Sequence, residues 1–197
     1  MNAVPRSSRL AGHRGQRGFV LVTGLLFLIV LTLLGLGLFR STGLMNRISG
    51  NTRDKDRAFE AAQAALQYAE WWIGNSGKAD AGSVCTGVAN GNTASAIHVC
   101  SNALATPADF PWANGFTYTP PNLFVDKRGG LVSDTNPDAN YFGAPMFYIE
   151  NLGLAPDGKT TLYQVTAAAY GGSSSAKSVV RSTFAAAAAS NCTTCTK

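Results

Sequence analysis

The chain has 197 residues and a formal net charge of +5, from 16 basic and 11 acidic side chains. Four arginines lie in residues 1–18, which leaves 12 basic against 11 acidic residues in the remainder. The basicity therefore belongs to the N-terminus and does not predict nucleic-acid binding, which needs a basic patch on the folded part.

The first predicted element is an uncharged apolar run, residues 19–39, that directly follows Arg17 and Gly18. At 1.5 Å per helical residue it spans about 30 Å, the thickness of one bilayer core. The arginines before it predict that the N-terminus stays on the cytoplasmic side. A secretory signal peptide has its small-residue cleavage site after the apolar run, whereas Gly18 lies before it. An uncleaved signal anchor is the alternative interpretation.

The order Arg17-Gly18-Phe19 resembles the processing site of type IV prepilins. The resemblance implies that prepilin peptidase cuts between Gly18 and Phe19 and that the new N-terminal Phe19 is methylated. Thr23 is then the fifth mature residue, where most pilins have a Glu that is thought to neutralise a neighbouring subunit's amino group. An unpaired charge in hydrocarbon is costly, so that pairing matters. In lacking this Glu, the chain resembles minor pilins of the PilX and GspK types. The resemblance implies a position at the filament tip. The alternative is that Thr23 is simply tolerated in an ordinary subunit.

A second helical pattern follows at residues 58–73, where apolar residues recur at spacings of three and four. We expect one helix from about residue 19 to 73, with residues 74–77 as its stop. The charged residues 53–57 are expected on a solvated helix face, with a dedicated partner site as the alternative. The predicted core stripe consists of Phe59, Ala62, Leu66, Ala69 and Ile73. Residues 40–42, Arg-Ser-Thr, followed by this alanine-rich stretch resemble the N-terminal module of PilX-type pilus assembly proteins over about residues 15–73.

Four cysteines in an exported chain favour disulfides. We favour a Cys85–Cys100 bond that closes a loop rich in Gly, Asn and Thr, and a tight ring between Cys192 and Cys195. A long-range bond from the C-terminal tail to the loop remains open. The 14-residue spacing between Cys85 and Cys100 argues against a four-cysteine zinc site. The CxxC pattern ends the chain instead of starting a helix, which argues against a thioredoxin-like site.

The remaining predicted elements are a loop-rich insertion and four strands. Residues 75–116 carry few strand signals, and strands are expected at 116–119, 145–151, 161–170 and 177–186. The last two flank a Gly/Ser turn, residues 171–175, and form an antiparallel hairpin whose sequence resembles the C-terminal signature of PilX-like minor pilins. Residues 75–155 show no recognisable counterpart in the family and are expected to hold individual function.

Catalytic and metal sites find little support. His98 is the only histidine after residue 18, and the chain has no glycine-rich phosphate loop and no HExxH motif. Residues 134–140 place oxygen ligands at alternating positions, as a calcium loop does, but lack the required Gly and bidentate Glu. An Asp/Asn-rich turn is the better interpretation. We expect no enzyme activity, no cofactor and no bound metal.

The predicted fold class is α+β. The resemblance implies a type IV pilin fold, a long N-terminal helix on a small antiparallel sheet with a loop-rich insertion. Its segments are a leader (1–18), a transmembrane and filament-core helix (19–40), an amphipathic helix (41–74) and a periplasmic or extracellular domain (75–197).

The function that the resemblance implies is that of a minor pilin in a tip or priming complex that initiates type IV pilus assembly. Its partners would be other minor pilins, the major pilin, prepilin peptidase and a PilY-type tip adhesin, with the loop at residues 85–100 as contact surface. It would lie in the inner membrane first and at the pilus tip afterwards. The alternatives are a GspK-like pseudopilin at a type II secretion tip and a plain bitopic membrane protein.

Overall fold

A computed structural model describes residues 17–76, 82–133, 135 and 140–187. The chain divides into two compact units, with the boundary between Ile48 and Ser49. The elements in chain order are α1 (Arg17–Asn75), β1 (Val88–Asn90), β2 (Gly115–Thr117), β3 (Phe124–Val125), β4 (Leu131–Val132), β5 (Met146–Leu154), β6 (Thr160–Tyr170) and β7 (Lys177–Ala187).

The first unit contains the N-terminal part of α1. Within it, Gly18–Gly37 is long and apolar enough to cross a membrane, judged by length and composition, and none of this stretch is buried inside the protein. Large side chains such as Phe19, Leu26 and Leu33 are each more than half exposed. Exposed apolar surface on this scale is typical of a membrane or protein contact surface.

The second unit packs the rest of α1 against a sheet. The buried helix face is made mostly of alanines, because Ala58, Ala61, Ala62, Ala65 and Ala69 are all at most 6% exposed. The predicted core stripe is wrong at one position. Phe59 is 45% exposed, since the buried face falls on Ala58, Ala61 and Ala62 instead.

Trp72 and Ile73 end this buried face. Trp72 is 1% exposed, and its indole N–H donates to the carbonyl oxygen of Ala94 at 3.1 Å. That bond satisfies the one polar group that the Trp72 side chain brings into the core. It also ties the end of α1 to the segment between β1 and β2.

The sheet has five strands in the order β1-β2-β5-β6-β7. The predicted hairpin is confirmed, because β6 and β7 pair antiparallel from Thr160 opposite Ala187 to Tyr170 opposite Lys177. The sheet is not wholly antiparallel, however, since β1 pairs parallel with β2. A separate two-stranded sheet joins β3 and β4.

The segment between α1 and β2 was predicted as a loop, but it also contributes side chains to the hydrophobic core. Ile97, Val99, Phe110 and Trp112 are each at most 5% exposed and belong to the main core cluster. A backbone bridge pairs Cys100 with Glu150, so part of this segment extends the sheet beside β5. It is largely irregular in backbone, yet it supplies core side chains.

Candidate functional site

The residues predicted to govern processing and assembly lie in the first turns of α1. Phe19 is 67% exposed, and a Cβ on Gly18 would meet nothing within 4 Å. Both residues are therefore accessible on the helix surface. Their role in processing stays a prediction.

Thr23 lies one turn after Phe19 and satisfies its own hydroxyl group. The Thr23 hydroxyl lies 3.0 Å from the carbonyl oxygen of Phe19 and 3.0 Å from that of Val20, to which it donates. A hydroxyl bonded to the preceding helical turn enters an apolar environment without an unpaired donor. Thr23 thus needs no polar partner, and it cannot supply a negative charge.

A second group of residues joins α1 to the turn between β6 and β7, within the second unit. We call it the helix–turn junction and define it as Asp54 and Arg57 of α1 with Gly171, Gly172 and Ser173. The Asp54 carboxylate accepts hydrogen bonds from the Gly172 N–H at 2.5 Å and from the Ser173 hydroxyl at 2.7 Å. Residues far apart in the sequence are therefore linked through one carboxylate.

The cationic side chains next to Asp54 also donate hydrogen bonds to backbone carbonyl oxygens. Arg57 donates to the carbonyl oxygen of Asn140 at 2.6 Å, and its guanidinium lies 4.8 Å from the ring centre of Tyr141. Lys55 donates to the carbonyl oxygen of Lys177 at 3.1 Å. Arg53, Lys55 and Asp56 are exposed, as expected for a solvated helix face, whereas Asp54 and Arg57 are half-buried against the turn and the neighbouring loop.

The pKa of Asp54 is lowered from its ordinary value. Burial alone would raise the pKa of this carboxyl, but hydrogen bonds from Ser173 and Gly172 and the nearby Arg57 charge outweigh it. Asp54 is therefore held in its charged form. The sequence signal that pointed to the junction was the Gly171-Gly172 pair, which we interpreted only as a turn.

Gly171 is required for close approach at the junction. A Cβ at this position would overlap the backbone oxygen of Asp54 and lie 2.5 Å from its Oδ1 atom. No side chain fits there unless the turn withdraws from the helix. The absence of a side chain at residue 171 is thus what lets the next residue donate to Asp54.

The third group surrounds the disulfide between Cys85 and Cys100, which is the pairing that the sequence favoured. Both cysteines are at most 5% exposed. The Asn102 side chain accepts from the Cys85 N–H at 2.8 Å and donates to the Cys85 carbonyl at 3.2 Å. The Cys100 N–H donates to Ile149 of β5 at 2.7 Å. Cys192 and Cys195 lie outside the described residues.

Tyr148 is hydrogen-bonded to this group. Its hydroxyl donates to the carbonyl oxygen of Asn102 at 2.7 Å, and its side chain is fully buried. Burial, with a smaller contribution from the Glu150 charge, raises the pKa of Tyr148 to about 12. Val84, directly before the loop, and Val88, within it, are by contrast 64% and 50% exposed.

His98 packs inside this loop. One ring nitrogen lies 3.4 Å from the Cys85 sulfur and the other 3.3 Å from the Ala96 carbonyl oxygen. The His98 and Phe116 rings also pack at right angles, with their centroids 5.2 Å apart. Across the described ranges, no group of three or more His, Cys, Asp or Glu residues is arranged to hold a metal ion. Residues 134–140, the calcium-like segment, lie mostly outside those ranges.

Two family comparisons match most of the chain. The PilX N-terminal family matches residues 17–67, and the family described as Type IV pilus assembly protein PilX C-term matches residues 81–186. The second match contradicts the expectation that residues 75–155 have no counterpart in the family. Searches among curated proteins and among solved structures give no significant match.

Proposed function

Since the chain belongs to the PilX family of type IV pilus assembly proteins, we propose that it is a minor pilin that helps to initiate pilus assembly within a tip or priming complex. Its action is association with other subunits. The first 18 residues are the leader that prepilin peptidase removes. The apolar part of α1 holds the subunit in the inner membrane and then packs among neighbouring pilin helices.

The observation that carries the tip assignment is the environment of Thr23. Its hydroxyl is satisfied within its own helix, at 3.0 Å from each of two carbonyl oxygens. A subunit of this kind offers no carboxylate to the N-terminal amine of another subunit. Because an uncompensated amine in the apolar filament core is unfavourable, this subunit suits a position that no incoming amine must share.

The partners that we propose are other minor pilins, the major pilin and a PilY-type tip adhesin. The loop closed by Cys85 and Cys100 is the contact surface we propose for them. Exposed Val84 and Val88 on a segment fixed by a disulfide favour this choice, since apolar side chains on a rigid support bind with little loss of conformational freedom.

The first experiment measures the intact mass of the protein from membranes with and without prepilin peptidase. We expect loss of residues 1–18 and gain of one N-methyl group only when the peptidase is present. An unprocessed N-terminus in both strains would refute the minor-pilin proposal and favour an uncleaved signal anchor.

The second experiment tests the tip position with Thr23→Glu and the matched control Thr23→Val. Quantitative mass spectrometry of sheared pili gives the ratio of this subunit to the major pilin. We expect Thr23→Glu to raise that ratio severalfold by allowing incorporation along the shaft, and Thr23→Val to leave it unchanged. Equal ratios in all three proteins would refute the role of Thr23. Secretion defects with normal pili in a deletion strain would favour the type II pseudopilin alternative.

A further inference from the structure

A polar cleft of about 520 Å³ lies beside the helix–turn junction. Its α1 side carries Asn51, Arg53, Asp54 and Arg57, and its opposite side carries Ser173 and Ser175. The whole cleft lies in the second unit. Two guanidinium groups and two hydroxyl groups therefore face one solvent-filled space, with a single carboxylate among them.

That carboxylate offsets part of the nearby Arg57 charge, but both of its hydrogen bonds go to the turn. Asp54 accepts from the Gly172 N–H and the Ser173 hydroxyl, so both of its oxygen atoms are directed at the turn. Two positive charges and one negative charge leave the cleft positive overall. Lys55 lines an adjoining hollow of about 200 Å³ and adds to the positive potential.

The two arginines are also placed unfavourably for an isolated subunit. Arg53 and Arg57 lie one helical turn apart, where like charges destabilise a helix by a few tenths of a kcal/mol. Arg57 is fixed by Asn140 and Tyr141, so it does not swing away from Arg53. A bound carboxylate removes this repulsion, and the planar guanidinium groups suit a two-oxygen acceptor.

We propose that this cleft receives the carboxylate of an Asp or Glu side chain from a neighbouring pilin subunit. The inference rests on the proposed function. If the apolar start of α1 packs among neighbouring subunits, the helical residues that follow it come within reach of those subunits too. The cleft is open to solvent, which fits a side chain of a protein partner better than an enclosed small ligand.

The experiment uses the full chain in piliated cells. A photo-reactive benzophenone amino acid replaces Ser175 at the rim of the cleft, and cross-linked peptides are mapped by mass spectrometry. We expect cross-links to a segment of another pilin that contains Asp or Glu. Arg53→Glu should lower the yield about fivefold or more, while Arg53→Lys, which keeps the charge but loses the planar guanidinium, should lower it less. Arg128→Glu, an exposed charge reversal on the turn between β3 and β4, is the matched control.

Two controls separate the possible failures. The same photo-reactive residue at Leu26 reports association of the apolar helix with other pilins, and unfolding temperatures show whether each variant folds. Cross-links from Leu26 but none from residue 175 would overturn the cleft proposal and leave the proposed function intact. No cross-link to a pilin from either position would refute the proposed function itself.

The remaining outcomes are equally decisive. Equal yields for Arg53→Glu and Arg128→Glu would overturn the proposal, as would a mapped segment without an acidic residue. If inorganic phosphate raises the unfolding temperature of the wild type but not of Arg53→Glu, and no acidic segment is cross-linked, the occupant is a free anion instead. The acidic residue mapped on the partner can also be replaced by Lys. If this change restores the cross-linking yield of Arg53→Glu, it establishes the pairing.

Discussion

Gly171→Ala should destabilise the second unit through one defined overlap. The added methyl group would occupy the space of the Asp54 backbone oxygen and lie 2.5 Å from Asp54 Oδ1. A helical carbonyl does not move cheaply, because it belongs to the hydrogen-bonded backbone of α1. The turn must therefore withdraw, and the bonds from Gly172 and Ser173 to Asp54 are then lost or lengthened.

The size of the effect follows from these two losses. Overpacking of this kind costs about 1–3 kcal/mol. Hydrogen bonds to a charged group contribute about 1.5–3 kcal/mol, and less here because Asp54 remains accessible to water. We expect a total of about 2–3 kcal/mol, which lowers the unfolding temperature by about 5–10 °C for a unit of this size.

The assay is thermal unfolding of the full-length protein in detergent, followed by near-ultraviolet circular dichroism. Gly50→Ala is the matched control, because a Cβ there meets nothing within 4 Å and alanine favours a helix by about 1 kcal/mol. A double-mutant cycle with Asp54→Ala adds a sharper test, since Asp54→Ala should cost less in the Gly171→Ala background than alone. On the same conversion from free energy to unfolding temperature, a value for Gly171→Ala within about 1 °C of wild type would refute the reasoning.

Three further predictions concern stability. Replacing Cys85 and Cys100 by Ser opens a loop with a sequence separation of 15, which should cost about 3 kcal/mol of unfolding free energy in denaturant titrations; an unchanged midpoint would contradict it. Because the pKa of Asp54 is lowered in the folded state, its contribution is present above its unfolded pKa and is lost as pH falls through its folded pKa. Unfolding midpoints should therefore drop in acid below about pH 4, and less so in Asp54→Asn. The pKa of Tyr148 is raised to about 12, so its contribution is complete below about pH 10 and is lost between about pH 10 and 12. Tyr148→Phe should remove that alkaline loss and cost about 1 kcal/mol at neutral pH, since Asn102 loses its donor.

Local patterns were sufficient for the long helix and for the C-terminal hairpin. The continuous apolar run and the spacing of residues 58–73 predicted α1 nearly to its end at Asn75. Two strand signals on either side of a Gly/Ser turn predicted β6 and β7, because a hairpin is specified by neighbouring residues. These elements depend on interactions that are short in sequence.

What the sequence did not predict depends on distant contacts. The parallel pairing of β1 with β2 places Val88 opposite Gly115. A strand of three residues, such as β1, is too short to show a periodic pattern in the sequence. The helix–turn junction needs Gly171 to approach Asp54, which no local pattern encodes. Phe59 is exposed because a different, alanine-rich face of α1 packs against the sheet. That packing depends on all of the buried alanines together.

The polar groups of the apolar stretch are satisfied within their own helix, whereas the cleft in the second unit keeps an exposed charge. This difference indicates what each surface requires from a partner. In the apolar stretch, the hydroxyl groups of Thr23 and Thr32 donate to carbonyl oxygens of their own helix, so only apolar surface remains to be covered. At the junction, Asp54 is committed to the turn, while Arg53 is exposed on a cleft that keeps a surplus of positive charge. Burial of the first surface depends little on salt, whereas a contact at the second weakens as ionic strength rises. Cross-links from residue 175 should therefore decline with added salt, while those from Leu26 should not.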